Sequence, residues 1–263
     1  MATDLIFMGS SADRSAADVA LPVAAGELQV NANGAPGTAT TWYPKADGAI
    51  IGAFTRSETA GMVECRFHKT TDINYVKVYA PSLQTDPLRE NIISPANYPI
   101  TTGDQIEASG ENAGAVLDVL GLYVAKSGGD KLPTTKMPDA LPAGAVPVRA
   151  TATFTHVADS VATGTLVFDD YQLIRDQVYK IIGMAANSAT GCGTRLKFLE
   201  GPNLNDVPGV PTADTSTGLE YQMFYGDFGQ FKGQTPPQVQ TIAVGADAAT
   251  VLNLIIVPVS GGK

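Results

Sequence analysis

Histidine and cysteine appear only twice each in 263 residues, and tryptophan once. Two cysteines cannot build a disulfide framework or a four-thiolate zinc site. Two histidines leave little room for a multi-histidine metal centre. Positive charge is also scarce: 17 Lys and Arg stand against 26 Asp and Glu, a formal charge of −9. Such a chain is a poor counter-ion for phosphate, which argues against a dedicated nucleic-acid binder. Long apolar runs are missing too. No stretch reaches the roughly 18 residues of a membrane-spanning helix. The longest, near 116–125 and 251–259, have strand length. Met1-Ala2-Thr3-Asp4 lacks the basic start of a signal peptide, and Leu5-Ile6-Phe7-Met8 is too short for its apolar segment. The expectation is a protein made soluble in a cytoplasm, or assembled into something there.

What is present points to strands and turns. The 44% hydrophobic content suits a folded chain, and 27 glycines with 17 prolines suit many loops. The length allows one large domain or two of about 130 residues. Val63, Cys65 and Phe67 alternate with Glu64, Arg66 and His68, and Val76, Val78 and Ala80 alternate with Tyr75, Lys77 and Tyr79. Period-two alternation puts one apolar and one polar face on a strand. Further short strands are expected at 27–31, 49–55, 104–109, 116–124, 148–155, 164–168, 178–185, 194–199, 221–225, 238–244 and 251–259. Turn-prone clusters such as Asn31-Ala-Asn-Gly-Ala-Pro-Gly37 and Ser94-Pro-Ala-Asn-Tyr-Pro99 separate them. The pattern reads as an all-β sandwich or barrel. Helical signal is confined to Ser11–Val19. The spacing of Tyr171, Ile174, Val178 and Ile181 leaves 169–181 open between helix and loop.

Mid-chain, Lys126-Ser-Gly-Gly-Asp130 runs on through Pro133, Pro138, Pro142 and Pro147, the composition of a linker. The two halves it separates end alike. At an offset of 135, Gly110, Ala113, Val116-Leu117 and Val124 match Gly245, Ala248, Val251-Leu252 and Val259, and Asp118 faces Asn253. Ser127-Gly-Gly129 then matches Ser260-Gly-Gly262 after a gap. A repeat of half the chain length indicates two copies of one domain. Segments 116–124 and 251–259 are apolar on both faces, so the outer face of each sheet must also be covered. Two sandwiches packed side by side through these sheets would cover it. The expected organisation is an N-terminal arm at 1–20, a first sandwich at 21–129, a linker at 130–147 and a second sandwich at 148–263.

Three stretches of the second half carry a resemblance: Tyr179-Lys-Ile-Ile-Gly-Met-Ala-Ala-Asn-Ser-Ala-Thr190, Arg195-Leu-Lys-Phe198 followed by Pro208-Gly-Val-Pro211, and Tyr225-Gly-Asp-Phe-Gly-Gln-Phe-Lys-Gly233. With the repeat and the linker, they make the chain resemble the double jelly-roll major capsid proteins of icosahedral tailless, membrane-containing phages. The resemblance is architectural and covers most of the chain. It implies two jelly-roll β-sandwiches side by side. It also implies a homotrimer serving as a pseudo-hexagonal capsomer, and a place in the virion capsid after assembly in the host cytoplasm. The implied partners are neighbouring capsomers, other capsid proteins such as a penton protein, and an internal viral membrane, with no sequence-specific nucleic-acid binding. The chain has no room for tall insertions at the jelly-roll tops. Only Leu5–Met8 could serve as a membrane anchor.

No residue stands out as catalytic, cofactor-binding or metal-ligating. His68 and His156 read as solvated or interface histidines, since no Gly-x-Ser-x-Gly elbow accompanies them. Cys65 reads as a small core residue. Cys192 reads as a loop thiol without basic neighbours, and a Cys65–Cys192 disulfide stays open. Asp169, Asp170 and Asp176 read as a surface loop rather than a calcium site, with a subunit-bridging metal as the alternative. Trp42 reads as a core or inter-subunit residue, with sugar stacking as its alternative. A shell-building protein without enzymatic activity is the expected function, and a secreted or surface carbohydrate-binding or adhesion β-sandwich is the rival.

Overall fold

The computed structural model describes residues 3–10, 21, 40–57, 62–81, 97–110, 118–138, 147–156, 161–168, 171–188, 191–201, 204, 206–213, 222–243 and 247–259. Among them there is no helix. The expected Ser11–Val19 helix and the 27–31 strand lie outside the described residues. Residues 171–177 are loop, and the strand begins at Val178, so the open choice at 169–181 resolves to loop then strand where it is described.

Eight strands form the first sandwich: β1 (Asp4–Ser10), β2 (Thr41–Trp42), β3 (Gly48–Ser57), β4 (Met62–Lys69), β5 (Val76–Pro81), β6 (Tyr98–Ile100), β7 (Ile106–Gly110) and β8 (Asp118–Ala125). One sheet runs β1-β8-β3-β6 and the other β2-β7-β4-β5. The last strand thus returns between the first and third, and the seventh between the second and fourth. This is the double Greek key of a jelly roll. Alternation aims Ile6, Met8, Ile50, Cys65, Phe67, Leu120 and Leu122 into the shared core, and Trp42 closes one end.

The second half repeats the order with β9 (Val148–His156), β10 (Val161–Thr165), β11 (Val178–Asn187), β12 (Gly191–Lys197), β13 (Gly209–Ala213), β14 (Phe224–Tyr225), β15 (Gln230–Lys232), β16 (Gln238–Ala243) and β17 (Asp247–Pro258). The ladder runs β10-β16-β12-β13-β11-β17-β9, with β14 and β15 also on β11. Only two residue pairs, Ala186 with Thr212 and Asn187 with Ala213, join β11 to β13. That short parallel stitch links two jelly-roll sheets at one rim. Between them lie Tyr179, Ile181, Leu196, Phe231, Leu252, Leu254 and Ile256. The chain is therefore all-β, two jelly-roll sandwiches side by side.

The repeat is real, but its register differs from the one the sequence suggests. Both third strands carry a bulge at the same tripeptide, Ile50-Ile51-Gly52 and Ile181-Ile182-Gly183. Opposite the bulge stand Val124 and Tyr123 in β8, and Ile256 and Ile255 in β17. Asp118 therefore corresponds to Thr250, and Asn253 to Gly121. The offset of 135 would set the core residue Leu120 against Ile255, which points away from the core. A strand apolar on both faces loses the alternation that normally fixes register.

Two further expectations change. Residues 4–10 of the expected arm are a full strand, paired with β8 over seven residues. Leu5–Met8 is buried on both faces, and so it is no membrane anchor. The described start of the linker, 130–138, is pinned at Asp130 and Thr134. Asp130 accepts hydrogen bonds from the backbone N–H groups of Lys126 and Ser127, and Thr134 exchanges backbone bonds with Tyr225.

Leu254→Ala should destabilise the protein by about 2–5 kcal/mol, the usual cost of a core leucine truncation. The neighbouring Ile255→Ala, outside that core, should cost clearly less. Urea denaturation of both variants measures the difference.

Candidate functional site

The site that the fold builds is the seam between the sandwiches. Along β1, Ile6 and Met8 point into the first core, so Leu5 and Phe7 point outward, yet both are fully buried. Outward-facing Phe54, Val119 and Tyr123 from β3 and β8 join them, and Ile242 of β16 completes the cluster. The outer face of sheet β1-β8-β3-β6 therefore lies against the outer face of the β10-β16-β12-β13 half-ladder. A side chain at Gly193 of β12 would come within 2.7 Å of the Phe7 ring and 3.0 Å of Phe54. Glycine is what lets the two faces approach there.

Arg195 holds the centre of the seam at 2% exposure. Its Nε and Nη2 both donate to Gln240 Oε1, at 2.9 and 2.7 Å. Its Nη1 crosses to the first sandwich and donates to the Leu5 carbonyl at 2.9 Å. The guanidinium lies 5.1 Å from the Phe7 ring centroid. Tyr123 returns the crossing by donating its hydroxyl to the Gly209 carbonyl at 3.1 Å, and burial pushes that hydroxyl's pKa well above the ordinary value. Weakly hydrated, planar arginine is suited to such a dry position.

The edge strand β1 is covered at one end by the loop before β13. Leu5 N–H donates to the Val207 carbonyl at 2.9 Å, and Val207 N–H donates to Asp4 Oδ1 at 3.0 Å. Lys126 Nζ lies 2.7 Å from Asp4 Oδ2 and 2.8 Å from Asp206 Oδ1, bridging the two sandwiches. Burial raises the Asp4 pKa despite the lysine and the Val207 N–H. Burial also works against the Lys126 charge, but the Asp206 and Asp4 carboxylates together hold its pKa above the ordinary value. One cation shared by two carboxylates is over-supplied with negative charge, and the more buried Asp4 bears the cost. A cleft of about 240 Å³ opens beside this clasp, lined by Trp42, Lys45, Lys126, Arg195 and Lys197 among others.

A second feature is the outer face of β4, β5 and β7. Arg66 Nε donates to Ser109 Oγ at 3.0 Å, and its guanidinium lies 4.5 Å from the Tyr75 ring centroid. His68 meets the same ring edge-on at 4.3 Å. Lys77 pairs with Glu64 at 3.1 Å. The Tyr79 hydroxyl, more than Lys77, holds the Glu64 carboxyl below its usual range against the opposing effect of desolvation. Tyr75 and Tyr79 are 46% and 44% exposed.

The residues singled out in the sequence do not converge. His68 sits on this outer face, as its strand position suggests. Cys65 is buried, accepts the Thr55 hydroxyl and is in no disulfide, so the Cys65–Cys192 alternative is not taken up. Cys192 lies in β12 rather than in a loop. Asp176 is exposed in the turn before β11, and Asp169 and Asp170 lie outside the described residues. The side chain of His156, in β9, also lies outside them. Trp42 is 5% exposed, within the first core and at the lip of the cleft. Among the described residues, no group of three or more His, Cys, Asp and Glu could hold a metal ion. Sequence reasoning missed the seam residues Arg195, Gln240, Tyr123 and Lys126. The available signal was Arg195 set between Thr194 and Leu196, two residues after Gly193.

Neither a protein-family model nor a curated protein matches the sequence. Several solved structures are similar at low scores, three of them as follows. The major capsid protein P2 from Bacteriophage PM2 is 6% identical, with 98% of this chain and 99% of that one covered and a TM-score of 0.25. Vicilin from Corylus avellana (hazelnut) is 7% identical, with 82% and 73% covered and a TM-score of 0.19. The structure of infectious bursal disease virus Gx strain is 11% identical, with 98% and 81% covered and a TM-score of 0.15. At these TM-scores none bears on function.

Two outcomes follow from the seam. Arg195→Ala leaves the Leu5 carbonyl and the Gln240 side chain without their buried donor. It should cost about 3 kcal/mol, since each such group costs about 1–3 kcal/mol. Calorimetry should then show the single unfolding transition split in two, as the sandwiches uncouple. Asp4 gives a pH dependence. A carboxyl whose folded pKa lies above its unfolded 3.8 binds its proton more tightly when folded, so its contribution to stability grows as pH falls through the raised value. Relative to Asp4→Asn, the wild-type melting temperature should therefore rise as pH is lowered from 7 toward 4.

Proposed function

We propose that the chain is a viral shell protein, a major capsid protein whose copies form trimeric, pseudo-hexagonal capsomers of an icosahedral capsid. The observation that carries this reading is the seam. Two sandwiches of one topology pack outer face to outer face using different sheets, the β1-β8-β3-β6 sheet of one and the β12-containing sheet of the other. That packing is directional. It leaves a sheet of each kind at the two ends of the pair, and repetition of one heterologous contact generates rings or lattices. Lateral association through large self-complementary faces is the work of a shell, and no chemistry is required for it.

Within this reading the protein belongs to the virion, with neighbouring capsomers, a penton protein and an internal membrane as its partners. The acidic surface keeps unassembled copies soluble and away from nucleic acid. The carbohydrate-binding alternative gains nothing from Trp42, whose ring is buried rather than offered for stacking.

Light scattering and electron microscopy of the purified chain test the proposal. A species of about three times the 27.3 kDa chain mass, tiling into hexagonal arrays or shells, is expected. A monomer at every concentration, with no ordered assembly, overturns it.

A further inference from the structure

We infer that the cleft beside the Asp4–Lys126–Asp206 clasp binds a phosphate group, held between Lys45 of the first sandwich and Lys197 of the second. The inference goes beyond the shell reading and does not depend on it, because it rests on the charge of one cleft within a single chain.

The cleft has a charge opposite to that of the chain. The whole protein carries a formal charge of −9. The cleft is lined by Lys45, Lys126, Arg195 and Lys197, and by one carboxylate, that of Asp4. Asp206 also shares Lys126. Setting both carboxylates against the four cations leaves two positive charges. A walled cleft lined by one sign of charge focuses the field and concentrates its counter-ion.

Strand geometry explains where the surplus comes from. Arg195 and Lys197 are two residues apart on β12, so they share its outer face. Arg195 is buried by the first sandwich and bonded to Gln240 and the Leu5 carbonyl, so it acts on the cleft through its field. Lys126 is held by Asp4 and Asp206. Lys197 is exposed, and so is Lys45, which follows Trp42 and Pro44 beyond β2. Neither side chain has a hydrogen-bond or ion-pair partner among the described residues. These two lysines are therefore the contacts, one from each sandwich. A phosphate monoester brings about −1.5 to −2 charge at neutral pH and three acceptor oxygens. It matches the surplus, whereas a carboxylate meets half of it. Lysine serves phosphate as a point charge and needs no fixed fork. Trp42, Pro44 and Leu204 give the cleft an apolar wall, which suits a phosphate carried on a carbon skeleton.

Isothermal titration calorimetry of the full chain with glycerol 3-phosphate at low salt tests the site. Saturable binding is expected, with acetate at least about tenfold weaker. Combining Lys45→Glu with Lys197→Glu reverses two exposed charges and disturbs neither core, and it should weaken binding by more than about tenfold. Asp4→Asn removes the lining carboxylate and should tighten binding about threefold. Far-UV circular dichroism and melting temperature confirm that the variants fold. Co-sedimentation with phosphatidylcholine vesicles containing phosphatidic acid separates two sources of the phosphate. Capture that the double substitution abolishes assigns it to a lipid headgroup, and glycerol 3-phosphate binding without capture assigns it to a soluble phosphate ester. No saturable heat below about 10 mM ligand overturns the inference. So does equal affinity for acetate, or wild-type affinity in the folded double variant. Each of these leaves the shell reading standing.

Discussion

A sheet that is apolar on both sides has to be covered on both sides, and that requirement organises this molecule. Sheet β1-β8-β3-β6 turns Ile6, Met8, Leu120 and Leu122 toward its own core and Leu5, Phe7, Phe54 and Tyr123 away from it. A free jelly roll with such an outer face would expose a continuous aromatic patch to water, which soluble proteins avoid. The second sandwich removes the patch. The cover over the β1 edge and the Asp4–Lys126–Asp206 clasp both serve to hold that one apposition. The first strand is part of the same arrangement. It gives Leu5 and Phe7 to the seam and its edge to the Val207 loop, so the chain's beginning is tied to its second half.

Polar groups in the seam follow from its dryness. Once the faces meet, any donor or acceptor between them must be paired within the protein. Arg195 satisfies Gln240 and the Leu5 carbonyl together, and Tyr123 reaches the Gly209 carbonyl. These bonds add direction to an otherwise slippery apolar contact. They favour one relative placement of the sandwiches over the many that burial alone would accept. Gly193 adds a steric condition, because the Phe7 and Phe54 rings occupy the space a side chain would need.

The fold was legible where a strand has one wet face. Cys65 and Phe67 alternate with Glu64, Arg66 and His68, and β4 lies where that pattern puts it. Legibility failed where both faces are dry. Residues 1–20 read as an arm with Leu5–Met8 as its one candidate anchor, because Leu-Ile-Phe-Met has no period. The repeat was visible in β8 and β17 but slipped by three residues for the same reason. The shared Ile-Ile-Gly marks the register, but a bulge is a feature of pairing, not of composition. The candidate site was less legible still. His, Cys, Asp and Trp are the residues that signal chemistry in a sequence, whereas the seam rests on an arginine, a glutamine and a glycine whose importance depends on what lies opposite.

The comparison of the two arginines carries the last step. Two copies of one fold within a chain begin with equivalent faces, and only the surroundings distinguish them. Arg195 ended inside and Arg66 outside, yet each bonds through Nε to the residue opposite it, Gln240 of β16 and Ser109 of β7. Their surroundings differ. Arg195 lies in a dry seam, bonded to Gln240 and the Leu5 carbonyl. Arg66 stands beside Tyr75, with His68 against the same ring and the Lys77–Glu64 pair on the same face. An arginine on the fourth strand thus serves a dry contact in one sandwich and a half-exposed polar face in the other, and what lies opposite decides which.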